Sequence, residues 1–192
     1  MKQIHVFSDG LYLAAATLTL LAGTAQAQNL AKFTISDEAA KKTLLKNEIN
    51  AETAARIGAG VIECAKKLSQ AMTTFVLTPT GQIVYAYRMD GNVPINIETA
   101  KLKAESVLYT RDSTHTRANQ VANNLSLQMR WAPLGVFPTS GGLPIIVEGQ
   151  MIGVIGVGGG TMDEQCAYEA LTKVVGPQPP LAPPTPPAKA GQ

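Results

Sequence analysis

The chain has 192 residues, 45% of them hydrophobic, with 16 Lys and Arg against 14 Asp and Glu, a formal net charge of +2. That length suits one ordinary domain with a real core. A near-balanced charge, with no basic block interleaved with aromatics, excludes nucleic acid as a partner class.

Lys2 precedes an apolar run, Leu11 to Gly23, and Ala25-Gln26-Ala27 supplies the small-x-small pattern that a signal peptidase reads. The run is about 13 residues long, short of the roughly 20 that a helix needs to span hydrocarbon. Residues 1–27 are therefore expected to be an export signal. The product is expected in a periplasm or outside the cell, without membrane association after cleavage. Residues 28–50 read as an N-terminal extension with a short helix, Asp37 to Glu48, whose start at Ser36 is followed by acids that suit the positive end of the helix dipole. Asn50 then reads as the cap of a longer helix from Ala51 to about Ser69, with Ala54, Ile57, Val61 and Leu68 near one stripe.

Thr73 to Thr78 is β-branched and aromatic, hence a strand. Pro79 to Gly81 turns the chain, and Gln82 to Arg88 returns as the second arm of an antiparallel hairpin. After a break over residues 89–94, Ile95 to Thr110 is helical by composition. Ser113 or Thr114 caps a further helix, His115 to Met129. Trp131 to Ser140 is a proline-containing loop or short strand. Leu143 to Val157 forms a second hairpin with Glu148-Gly149 at its tip. Asp163 and Glu164 open a last helix through about Val175. Seven prolines then fall in the final sixteen residues, so 177–192 reads as an extended, disordered tail or spacer. The fold class is α+β: a mainly antiparallel sheet built from two hairpins and covered by helices in α/β/α layers.

The run GGLPIIVEGQMIGVIGVGGG, Gly141 to Gly160, poses a choice between phosphate cradle and architecture. A Walker loop needs a lysine, and none lies between Lys103 and Lys173. A dinucleotide fingerprint needs a further βα unit, and none follows. The glycines are therefore read as architectural. Gly141 and Gly142 make a turn, Gly149 suits the hairpin tip, and Gly153 and Gly156 admit a close backbone. Gly158 to Gly160 lead into the last helix, either as a bare turn or with amides that receive an anion such as a carboxylate. Cys64 and Cys166 are either a disulfide or two small buried apolar residues. No CxxC pair supports a metal site built on them.

The ordered segments YRMDG (Tyr87 to Gly91), ETAKLKA (Glu98 to Ala104), SGGLPI (Ser140 to Ile145) and GQMIGVIGVGGGT (Gly149 to Thr161) resemble the GlcG/HbpS haem-binding family, also called the haem-degrading or DUF336 domain. The resemblance covers about Ala51 to Val175. Thr78 and Gly158 stand where the family often has Asp and Ser. The resemblance implies an α/β/α domain, symmetric homo-oligomers and, in exported members, binding of haem or iron. It also implies a haem contact at Thr114, which stands where the family has a threonine after its KA helix.

His115 is the only histidine after residue 27. It is either an axial ligand to haem iron or an exposed helix-start residue. Arg111, near it in sequence, is a candidate to hold carboxylates of such a ligand, and Arg88, at a strand end, is a candidate to position the ligand. Arg88 has pairing with Asp90 as its alternative. Gly141 and Gly142 complete the candidate cofactor-binding set. No nucleophile has a visible base, which argues against a hydrolase triad. The expected function is an exported protein that binds haem or a related tetrapyrrole. The alternatives are an enzyme acting on haem or a small organic acid, and a ligand-free structural oligomer.

Overall fold

A computed structural model describes residues 47–184 of the chain. The export signal expected over 1–27 lies outside these residues. So does the short helix expected from Asp37, except for Asn47 and Glu48, which are not helical.

The described elements are α1 (Ala51–Lys67), β1 (Thr73–Leu77), β2 (Ile83–Arg88), α2 (Ile95–Thr110), α3 (Thr114–Val121), α4 (Leu125–Trp131), β3 (Gly142–Val147), β4 (Gln150–Gly158) and α5 (Asp163–Val175). The two hairpins join through β1 and β4 into one antiparallel sheet of order β2-β1-β4-β3. α1 and α5 pack together on one face, and α2 covers the other. The fold is thus α+β in three layers, as the element order predicts.

This layering explains the burial pattern. β1 is central and covered on both sides, so all five of its residues are buried. Val76 belongs to the core under α1 and α5, with Ile57, Val61, Ile155 and Leu171. Phe75 and Leu77 point the other way, to Ala100, Ala104 and Val107 of α2. Fully burying such a side chain contributes about 1.5–3 kcal/mol. Gly156 of β4 shows how closely α2 lies. A Cβ there would collide with Ala100 O and lie 2.6 Å from Ala104 N, so no larger residue fits without moving the helix.

Cys64 of α1 and Cys166 of α5 form a disulfide with Cα atoms 5.5 Å apart, deciding between the two readings the sequence left open. Two expectations change. The helix expected from His115 to Met129 is broken into α3 and α4 at residues 122–124. The Asn124 side chain accepts from Leu127 N at 3.0 Å, and asparagine gains more as a cap than inside a helix. Residues 177–184 of the expected tail carry no helix or strand, as their prolines require, and lie against the domain. Gln178 side-chain Nε2 donates to Ile146 O (2.9 Å), and its Oε1 accepts from Ile146 N (3.0 Å), covering the edge of β3.

Candidate functional site

The chemistry gathers where α2, α3 and the start of α5 meet. Lys103 lies on the buried stripe of α2 with Ala100, Ala104 and Val107. Only 5% of its side chain is exposed. A lysine so placed requires partners, and its Nζ donates to Asp163 Oδ2 at 2.7 Å and to Val157 O at 2.9 Å. Asp163 opens α5 and turns its other oxygen back to accept from Gly160 N at 2.7 Å. Burial pushes its carboxyl above the ordinary range, while the Lys103 charge and these hydrogen bonds pull it down.

Beside this pair, His115 Nδ1 and Glu164 Oε2 are 2.8 Å apart. Burial raises the Glu164 carboxyl above its ordinary range, with the His115 hydrogen bond acting against it. Glu164 Oε1 is buried without a partner. With Nδ1 engaged by a carboxylate, Nε2 is the ring nitrogen left for a ligand.

His115, Lys103, Asp163 and Glu164 line a cleft of about 540 Å³ together with Thr139 and Ser140, the residues leading into α5, and Leu181, Ala182 and Pro184 of the tail. That volume lies in the range of small-molecule and cofactor sites, about 300–1,000 Å³. The cleft combines one imidazole, two buried carboxylates, one committed ammonium and an apolar tail segment.

The other candidate residues do not line the cleft. Thr114 is fully buried and does not line it; its Oγ1 accepts from Gly142 N at 2.9 Å and fixes the start of β3 to α3. Gly141 carries φ +122°, and a Cβ there would meet Val157 O at 2.5 Å and Lys103 Nζ at 3.0 Å, so this glycine makes room for the buried lysine. Arg111 closes α2 and reaches Met151 Sδ at 3.7 Å. Arg88 is exposed at the end of β2, the far edge strand from β3. Neither arginine lines the cleft. The amides of Gly160 and Thr161 are taken by Asp163 and Gln70, so the anion at the head of α5 is the chain's own carboxylate.

Lys103, Asp163 and Glu164 were not singled out from the sequence. Asp163 and Glu164 read as ordinary helix-start acids. The legible signal was Lys103, a charge set among alanines and valine at i−3, i+1 and i+4 on a face that must be buried.

The family profile described as "Haem degrading protein HbpS-like" matches residues 49–172. The chain belongs to the HbpS-like family. The motifs quoted from the sequence point to the same family. Among solved structures, this HbpS-like chain is similar to the Klebsiella pneumoniae protein ORFY of family DUF336, at 28% identity and TM-score 0.60, covering 64% of this chain and 88% of that one. It is also similar to HbpS, at 26% identity and TM-score 0.60, covering 67% and 91%. A complex of PduOC with haem shares the fold at 21% identity and TM-score 0.61, covering 65% and 94%. No curated protein sequence gives a significant match.

Proposed function

We propose that this HbpS-like protein binds haem, or a closely related iron tetrapyrrole, in the cleft beside His115. The observation that carries the reading is the His115–Glu164 pair at the cleft wall. A carboxylate on one ring nitrogen fixes the tautomer and orientation of an imidazole and raises the basicity of the other, the usual support for a metal-binding histidine. The family description and the haem complex of a protein with this fold support the same ligand.

The residues fit iron and an apolar ring better than they fit its carboxylates. His115 would hold the iron, and Leu181, Ala182 and Pro184 would face the ring. Lys103 is committed to Asp163, so among the described residues lining the cleft no unpaired cation awaits a propionate. The carboxylates of a bound haem would therefore have no free cationic partner among those lining residues. Bound haem would supply redox and Lewis-acid chemistry at its iron. The protein's part is to present Nε2, exclude water from one side and hold Glu164 close.

The reading includes export, which the Cys64–Cys166 bond supports, since disulfides persist in oxidising compartments. It also includes a homo-oligomer, supported by the exposed apolar side chains Leu125, Met129 and Leu134.

Titration of the purified protein with haemin tests the reading. A saturable Soret shift near one haemin per chain is expected, markedly weakened in His115→Ala. No shift at any ratio would remove haem. The family description favours one second reading, degradation of the bound haem. Catalytic bleaching with excess reductant or peroxide would support it, and stoichiometric loss would leave a binder.

A further inference from the structure

The Pro-rich segment after α5 is held in an unusual way. Gly176 (φ +98°) redirects the chain at the end of the helix. Five of the next eight residues are proline and have no N–H to offer a strand ladder. The segment is tied instead at separated points. The Gln178 amide pairs with both backbone groups of Ile146. The Tyr168 hydroxyl donates to Gln178 O at 3.4 Å, and Asn119 Nδ2 donates to Pro183 O at 2.9 Å. Side-chain donors reading prolyl-region carbonyls beside an aromatic ring are the manner in which polyproline segments are recognised.

Between these ties the packing is incomplete. A second cavity of about 110 Å³ lies between Pro179–Ala182 and Ser113, Thr116, Tyr168 and Leu171. Leu181 packs against the main core and, with Ala182 and Pro184, also lines the cleft that holds His115 and Glu164. A segment without a hydrogen-bonded ladder, anchored by a few side chains above a void, belongs to the low-stability end of a fold. Its release would uncover the β3 edge and one wall of the cleft together.

The geometry points to a strap: residues 177–184 form a detachable wall of the cleft, and their release sets how fast a ligand reaches His115. This builds on the cleft as the ligand site, but its first readout does not depend on haem. Three forms are compared: the full chain, the chain ending at Gly176, and the full-length double variant Asn119→Ala/Gln178→Ala, which removes the side-chain amides at two anchors. Circular dichroism and thermal unfolding establish that each is folded; if the shortened chain is not, the double variant decides. The readout is the rate at which diethyl pyrocarbonate modifies His115, with peptide mass analysis separating it from His5.

Loss of the anchors is expected to accelerate modification by about tenfold or more, since the rate follows the population of the open form. Haemin association should rise in parallel. A folded double variant that reacts at the parent rate overturns the strap. So does haemin association that stays at the parent rate while modification accelerates. Absence of haemin binding in every form would instead remove the haem reading and leave the modification rates to judge the strap.

Discussion

Lys103 and Asp163 are the most committed side chains of the site. Each is almost wholly buried, and each is the other's charge partner. Removing one partner leaves an uncompensated charge in the interior, so Lys103→Met is expected to destabilise the domain by about 3–5 kcal/mol. The double variant Lys103→Met/Asp163→Asn should recover much of that loss, and denaturant unfolding of the set checks both. Asp163 and Glu164 also give stability a definite pH slope. Burial raises both carboxyls above their ordinary values of 3.8 and 4.5. The folded domain therefore holds these protons more tightly than the unfolded chain. Their contribution is most favourable below the ordinary carboxylate values and declines as pH rises through the raised ones. Glu164→Gln should remove part of this decline. Its unfolding free energy relative to the parent should rise as pH increases above the ordinary carboxylate value of 4.5, and a pH-independent difference would contradict the assignment. None of this coupling was visible in the linear chain, because Lys103 and Asp163 are sixty residues apart and meet only when α2 and α5 close on the sheet from opposite sides. The oddity of a lysine beside Ala100, Ala104 and Val107 was visible, and marks where such a partner was needed.

At the scale of elements, the Cys64–Cys166 bond ties α1 to α5 across 102 residues of sequence. Cross-linking so long a loop restricts the unfolded chain, so Cys64→Ser/Cys166→Ser is expected to cost about 2–5 kcal/mol. Thermal unfolding with and without reductant measures the same effect on the parent. Spacing could not show this bond, since two cysteines bridge only when their helices already lie side by side. The hairpins were legible because their signals are local. Glu148 and Gly149 at the tip of the second adopt φ +50° and +75°, as a tight two-residue turn requires. The break between α3 and α4 was missed because helical composition outweighed Asn123 and Asn124. The capping geometry at Asn124 shows why the asparagines should have counted for more. The docking of the tail had no sequence signal except Gln178, a lone amide among prolines whose side chain does what a strand backbone would do.

For the whole molecule, three layers follow from two hairpins, and the layers place a histidine–carboxylate pair and a buried lysine–carboxylate pair at one end of the sheet. The family was legible from ordered motifs that describe backbone turns and close approaches. The site was less so, because the motifs fix the scaffold while the cleft is assembled from α2, α3, α5 and the tail. Of the residues first marked, His115 lines the cleft, Thr114 and Gly142 tie α3 to the start of β3, Gly141 leaves room for Lys103, and Arg88 and Arg111 lie elsewhere. We propose that an iron tetrapyrrole sits against His115. The most direct measurement is nuclear magnetic resonance of the labelled protein titrated with gallium protoporphyrin, a diamagnetic stand-in for haemin. Shifts concentrated on His115, Ser140, Glu164 and Leu181, and lost in His115→Ala, are the predicted result. Shifts confined to another surface, or unchanged by that substitution, would contradict it.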